Sequence, residues 1–258
     1  MFGRFRYQTT DFEGEVFDGT VYPAPAYQEL DDEYSLSAVT VLPPVLPSKI
    51  ICVGLNYADH AKELNMPLPK NPILFLKPPT ALLPDGGQIV CPKESRQVEY
   101  EAELAVIIGK AGKNIPIEKA FTHVAGYSCF NDVTARDLQK EDGQWTRAKS
   151  FDTFAPLGPF IVTPEELEQK NLDPNNLSIQ TRIWEVGNEK SKRTGQNSNT
   201  SEFIFKIPDL IAFISNIMTL QKGDVIATGT PPGVGRLIPG ECVEVEIKGV
   251  GCLKNTVI

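Results

Sequence analysis

The stretch VEYEAELAVIIGK, residues 98–110, decides how this chain has to be read. Its second half, Leu104 to Ile108, is the unbroken apolar run of a buried strand. Its first half sets Glu99, Glu101 and Glu103 at alternate positions. Side chains alternate along a strand, so all three carboxylates are expected on one face. Like charges that close, leading straight into a core strand, repel one another. Either water bathes that face or a cation holds the carboxylates together. A third hard oxygen donor is at hand in Asp132, which ends the strand-like GYSCFND. A donor set of Glu101, Glu103 and Asp132 suits Mg²⁺ or Mn²⁺, with Ca²⁺ also admissible.

Outward from that stretch, strands outnumber helices and do not alternate with them regularly. This predicts a β-rich α+β fold rather than a doubly wound sheet. Residues 1–45 read as short strands with a hairpin turn at Asp18-Gly19 and form a small N-terminal β appendage. Prolines between Leu42 and Pro47 close that unit, and 46–258 is taken as a second, larger domain. There, KIICVGLNY is a buried strand and ADHAKELN a helix. PIEKAFTHV is a short helix opened by Pro116. TPEELEQ starts another, with Thr163, Pro164 and Glu166 at capping-box spacing. IPDLIAFISNIMTL is the strongest helical pattern, with Leu210, Phe213, Ile214, Ile217 and Met218 as its apolar face. The polar run from Gly187 to Phe203 reads as a flexible hairpin, solvated for most of its length, whose Lys, Arg and Gln could face a ligand.

The 258 residues are 41% hydrophobic and 22% charged, with a formal net charge of −8. That acidity argues against nucleic-acid and anionic-membrane partners, which want a basic face. No signal-peptide pattern or bilayer-length apolar run is expected to direct the chain to a membrane. Five scattered cysteines without a C-x-x-C fit reduced thiols in a cytoplasmic protein, and two histidines rule out a histidine-rich metal site.

Three further features could carry chemistry. His60 and Glu63 stand at i and i+3 on one helical face, the spacing of a general base with its orienting carboxylate or of a plain surface pair. Arg136, Gln139 and Lys149 follow Asp132 closely, and the two cations could hold a carboxylate or a developing enolate. TGTPPGVG, from Thr228, could offer backbone N–H groups to an anion but lacks phosphate-loop spacing.

Taken in order, GLNYADHAKEL, LFLKPPTAL, VEYEAELAVIIGK, AGYSCFNDVTARDLQ, AKSFDTFAPLGPFIV, TGQNSNTSEFIF and GDVIATGTPPGVG resemble the fumarylacetoacetate hydrolase family. The resemblance covers about Lys49 to the C-terminus. It implies that family's catalytic fold, a mixed β-sheet roll, and a homodimer. It implies a Mg²⁺ or Mn²⁺ ion on Glu101, Glu103 and Asp132, and a catalytic lid dyad of His60 and Glu63. It implies Lys149 as the catalytic lysine, and Arg136, Gln139 and Thr230 as substrate contacts. The implied substrate is a small 2-oxo acid or its enol, turned over through an enolate that the metal stabilises as a Lewis acid. C–C hydrolysis of an acylpyruvate-type substrate is the first expectation; isomerisation or decarboxylation of a 2-hydroxy-dienedioate or oxaloacetate passes through the same enolate. Some acylpyruvate-cleaving members of that family carry Arg at the position of Leu55, whereas others, isomerase and decarboxylase types among them, are similar to GLNYADH. A non-catalytic ligand-binding protein on the same fold is the reading from another class.

Overall fold

The 98–110 stretch folds as two strands, Val98–Tyr100 and Ala102–Ile108, broken at Glu101. The structure is a computed structural model that describes residues 1–258. The break frees two backbone amides, and side chains take both. Asn131 Oδ1 accepts from Glu101 N at 2.9 Å, and Gln196 Oε1 accepts from Ala102 N at 2.9 Å. A single continuous strand was the simpler expectation. The interruption turns the backbone at Glu101 while its neighbours stay paired, Val98 and Glu99 with Thr134–Ala135 and Ala102 with Asn131.

Ala102–Ile108 is buried along its whole length and lies between Val124–Asn131 and Val225–Ala227, antiparallel to both. Val225–Ala227 pairs in parallel with Ile50–Val53, which pairs antiparallel with the edge strand Leu74–Lys77. On the other side the sheet continues through Ala155–Val162 to the N-terminal strands, for twelve strands in all. A five-stranded sheet faces it, containing Ser178–Glu185, Arg193–Asn199, Glu241–Ile247 and Gly251–Val257. Between them, Leu104 and Val106 pack with Ile179, Val245 and Leu253 and with the helix Ile207–Ile217 in one core. Each such side chain contributes about 1.5–3 kcal/mol on full burial. The architecture is the β-rich α+β arrangement the sequence implied.

The N-terminal strands Phe2–Tyr7, Thr10–Phe17 and Thr20–Pro23 gather a small core of their own, Phe5, Phe12, Val16, Val21 and Tyr34. Asp18 and Gly19, at φ 49° and 76°, close the hairpin as the two-residue turn their positive φ requires. The Thr163 capping box forms as spaced.

Three expectations need correction. Helix Ile207–Ile217 buries Ile207, Leu210, Ile211 and Ile214, while Ile217 is exposed and Met218 lies past the helix end. Ile217 points away from the core, while Met218, just past the helix end, still packs against it half-buried. Residues 117–123 form a 3₁₀ segment. Arg193–Asn199 is a strand paired with Ser178–Glu185 rather than a flexible arm, and its Gln196 is fully buried. No helix is long and apolar enough to cross a membrane.

Candidate active site

Glu101, Glu103 and Asp132 come together at the break between the two strands. One carboxylate oxygen from each lies within 4.8 Å of the others, and all three residues are buried. Asp132 follows the strand Val124–Asn131 directly, and its N–H bonds Glu101 O at 2.9 Å, locking the two acidic residues side by side. Glu103 lies one pleat further in. Its only hydrogen-bond donor is the N–H of Gly229, at 2.9 Å. Gly229 sits at φ 95°, and a Cβ there would fall 2.8 Å from the Asn56 Cβ, so a side chain at 229 would push this loop off Glu103. Asn56 is fully buried and holds the loop in place, donating to Thr228 O at 2.7 Å and Phe205 O at 3.2 Å.

Three cations answer the acids. Lys149 Nζ bonds Glu101 Oε2 at 2.9 Å and Asp132 Oδ2 at 2.6 Å. Arg136 is clamped between Glu99, 2.7 Å from its Nε, and Glu101, which takes Nη2. Its remaining nitrogen, Nη1, donates to Gln139 Oε1 at 2.5 Å. The third cation, Lys77, was not singled out from the sequence. It is fully buried, donates to Asp132 Oδ1, and reaches Val133 O at 2.9 Å. Glu99 is the buried partner of Arg136, one contact away from Glu101.

The electrostatics follow from these contacts. Burial opposes the Lys149 ammonium, but Asp132 and Glu101 outweigh it and hold the group up to about 12. Burial likewise opposes the charge on Glu101, and Lys149 and Arg136 overcome it, so this carboxyl falls well below the usual range. Glu103 goes the other way. Burial, with Asp132 and Glu101 beside it, pushes its carboxyl well above the usual range. It is the one acid of the cluster that no side-chain cation touches. A cluster of three close carboxylates, all oxygen donors, one of them lacking a countercharge, fits a hard divalent cation such as Mg²⁺, Mn²⁺ or Ca²⁺.

Above this floor lies a cavity of about 530 Å³, also lined by His60, Gln139 and Thr230. His60 stands on the helix Ala58–Glu63, with its Nδ1 2.7 Å from Glu63 Oε2. That carboxylate fixes the ring and leaves Nε2 as the free nitrogen. The second Glu63 oxygen accepts from Gly233 N at 3.2 Å, and Asp59 Oδ2 accepts from Ser198 Oγ at 2.6 Å. Thr230 Oγ1 donates to Ala102 O at 2.9 Å and accepts from Gln196 Nε2 at 2.7 Å. Gln196 thus braces both the strand break and Thr230. Of the residues proposed from the sequence all but Glu63 line one cavity, and Glu63 acts on it through His60 Nδ1. Lys77 and Asn56 have no signal in the sequence, since single polar residues in apolar runs carry no period; Gln196 stands in a run whose Gln could face a ligand, but its bracing role is not legible there.

The family model of the fumarylacetoacetate (FAA) hydrolase C-terminal region matches residues 49–258. A human mitochondrial oxaloacetate tautomerase is 44% identical, over 86% of this chain and 70% of that protein. The crystal structure of a 5-carboxymethyl-2-hydroxymuconate delta-isomerase from Mycobacterium smegmatis is 38% identical and superposes with a TM-score of 0.87, covering 100% of this chain and 98% of the other. A fumarylpyruvate hydrolase from Pseudomonas aeruginosa, in complex with Mn²⁺ and pyruvate, is 33% identical with a TM-score of 0.72 over 84% of this chain and 91% of its own.

Proposed function

This chain belongs to the fumarylacetoacetate hydrolase family, and from that premise we propose that it is a divalent-metal-dependent enzyme acting on small 2-oxo acids and their enols. The reaction we favour is proton transfer at the carbon beside the keto group, a tautomerisation or isomerisation. The observation that carries the reading is the meeting, in one cavity, of the carboxylate cluster with a histidine whose Nδ1 is held by Glu63. The tautomerase and isomerase among the similar proteins support the choice of reaction.

Glu101, Glu103 and Asp132 would hold the metal. When bound, the ion supplies Lewis-acid stabilisation of negative charge on the keto oxygen. The remaining work falls to the chain. Arg136 and Gln139 orient the carboxylate end of the substrate, and the Thr230 region closes the side of the cavity. His60 Nε2 removes the proton from carbon, and Glu63 steadies the imidazolium through Nδ1. Lys149 keeps its proton throughout and faces the charge that grows on the enolate.

A second reading is C–C hydrolysis of an acylpyruvate-type substrate, favoured by the likeness to the fumarylpyruvate hydrolase. There His60 Nε2 takes its proton from a water molecule instead, and the same enolate departs as the leaving group. Incubation of oxaloacetate, acetylpyruvate and fumarylpyruvate with the protein and Mg²⁺, with and without EDTA, separates the readings. Proton transfer collapses the enol absorbance without releasing pyruvate from acetylpyruvate or fumarylpyruvate, whereas hydrolysis releases it. Activity on none of the three, or activity untouched by EDTA, refutes the proposal.

The proposal includes a homodimer, supported by the apolar side chains left outside on the helix end and the 3₁₀ segment it packs on: Ile217, Ile117 and Phe121, each more than 40% exposed. Light scattering at micromolar concentration should give twice the chain mass.

A further inference from the structure

The anions that the Gly-Pro loop of residues 228–235 receives are side chains of the protein itself. Gly229 N–H goes to Glu103, and Gly233 N–H donates to Glu63 Oε1 at 3.2 Å. The other Glu63 oxygen holds His60 Nδ1 at 2.7 Å. Gly233 O in turn accepts from the Tyr100 hydroxyl at 3.2 Å. A line of contacts therefore runs from Tyr100 through Gly233 and Glu63 to the imidazole. Tyr100 stands between Glu99 and Glu101, and its side chain leaves the strand on the face opposite to Glu99.

Three glycines close around that hydroxyl. A Cβ on Gly195 would lie 2.3 Å from the Tyr100 hydroxyl oxygen, and one on Gly235 would lie 2.6 Å from it. A Cβ on Gly233 would lie 2.6 Å from Gly195 O, and the φ of 91° at Gly233 is a glycine conformation. A methyl group at any of the three would move the hydroxyl or the loop. The strand Val98–Tyr100 also pairs with Gly235–Arg236, and Gln196, next to Gly195, donates to Thr230 Oγ1 at 2.7 Å and to Pro231 O at 2.8 Å. Both ends of the loop are thereby tied to buried residues. Burial pushes the Tyr100 hydroxyl above its ordinary value, so it keeps its proton and donates. Glu63 is different. Its side chain is 43% exposed, and the terminal torsion of a glutamate is soft, so without Gly233 its carboxylate would turn freely.

We propose that Tyr100, enclosed by Gly195, Gly233 and Gly235, is a positioning residue for the catalytic base: it holds the Gly233 N–H out to Glu63, and through that carboxylate it sets the tautomer and tilt of His60. The inference rests on the reading of His60 as the base and adds the group that orients it. A neutral imidazole has one proton for two nitrogens. With Glu63 clamped at both oxygens, that proton stays on Nδ1 and Nε2 is left bare to accept another. With Glu63 free to turn, the two tautomers mix. Glu101 would hold the metal, and Tyr100, directly before it in the chain, fixes where the base stands.

The test is Tyr100→Phe in the full chain, which removes the hydroxyl and keeps the ring. Heteronuclear NMR of the imidazole nitrogens reads the tautomer without metal or substrate. His123, the other histidine, does not line the cavity and serves as the internal reference. The unmodified chain should hold neutral His60 as the Nδ1–H form. Tyr100→Phe should raise the share of the Nε2–H form by about two- to tenfold, the worth of one hydrogen bond, and leave His123 unchanged. On whichever of oxaloacetate, acetylpyruvate and fumarylpyruvate the chain turns over, kcat should fall by a similar factor. Mg²⁺ affinity, read by calorimetry, should not move, whereas general loosening beside Glu101 would lower it. Glu63→Ala, at an exposed position, should by itself mix the tautomers and quicken amide exchange at Gly233. Adding Tyr100→Phe to that chain should change neither tautomer nor kcat further, because Tyr100 acts only through Glu63. A His60 tautomer unmoved by Tyr100→Phe overturns the inference. So does a fall in Mg²⁺ affinity, a further loss in the Glu63→Ala chain, or Gly233 exchange that stays slow without Glu63. A tautomer that shifts as expected while kcat holds leaves the positioning of His60 by Tyr100 standing and overturns the reading of His60 as the base.

Discussion

On the floor of the cavity the acids and cations are buried and cross-tied, whereas the helix that brings His60 over them is held at its surface. Lys77, Lys149, Glu101, Glu103 and Asp132 are all under 10% exposed. The Ala58–Glu63 helix is six residues long and buries only Ala61. It hangs on the Asp59–Ser198 and Glu63–Gly233 bonds, with Tyr57 packed edge-on against Phe203 at its base. The contrast assigns the two halves different physical duties. Charges that must not move are fixed by a low-dielectric network. The base that must admit a substrate rides on an element with little burial to lose on opening.

The sharpest break in that contrast is Lys149→Ala. An ammonium cannot ligate a metal, so its loss should fall on turnover, lowering kcat by about 10²–10³. Metal affinity, read by calorimetry, should change far less. Glu101→Ala should invert the pattern, with metal affinity falling first and activity partly restored at high Mg²⁺. Equal damage to both quantities in both variants would mean that the floor acts as one undivided unit.

Next in size is Lys77→Met. Lys77 fixes Asp132 through Oδ1 and is itself tied to Val133 O, so it sets the direction in which Asp132 presents its other oxygen. Groups that orient a ligand in this way typically account for about 10–100-fold in metal affinity. The methionine should lose that much and retain the fold, because it replaces the lysine stem with a chain of similar length. Unchanged Mg²⁺ affinity would make Lys77 merely a charge-balancing residue.

Protons should compete with the metal at Glu103. Its folded carboxyl is raised above its unfolded value by burial and by Asp132 and Glu101. In the metal-free protein the stability linked to that proton is therefore present below the unfolded value of about 4.5 and lost as pH rises through the raised one. A bound cation removes the penalty and displaces the proton. Mg²⁺ affinity should thus climb by up to about tenfold per pH unit through that window. The gain in Tm on adding Mg²⁺ should be larger at pH 8 than at pH 5.5. A metal-induced shift independent of pH would show that Glu103 is already ionised without the metal.

How much of this was legible follows from the physics of each residue. Glu101 and Glu103 were readable because alternation is a strand's own period, even though the strand breaks between them. His60 and Glu63 were readable from helical spacing. Lys77 was not, since a lysine ending an apolar run looks like a strand edge reaching water; its burial depends on Asp132, 55 residues away. Gln196 lay in a run whose composition says loop, and its inward face exists only because Ser178–Glu185 pairs with it and because the break at Glu101 leaves Ala102 N to be satisfied. The helical spacing of Ile207–Ile217 is legible, and Leu210, Ile214 and Met218 do meet the core, but Ile217 is exposed, because periodicity does not show where the supporting core ends.

The smallest expected effect tests the weak side of the comparison. Ser198→Ala deletes one hydrogen bond to the lid helix, the 2.6 Å contact to Asp59 Oδ2. Asp59 keeps a partner, since its Oδ1 accepts from His60 N at 2.9 Å, and Ser198 is at an intermediate depth, so no buried group is stranded. The cost should be that of an ordinary hydrogen bond, about 0.5–1.5 kcal/mol, charged to the closed lid rather than to the fold. That corresponds to about a two- to tenfold rise in KM, with kcat nearly kept and Tm unmoved. Amide exchange should quicken in 58–63 and stay unchanged in 102–108, whose strand is buried between two others. Exchange that quickens equally in both segments would mean that lid and floor open together, and the division between a fixed floor and a hinged base would have to be given up.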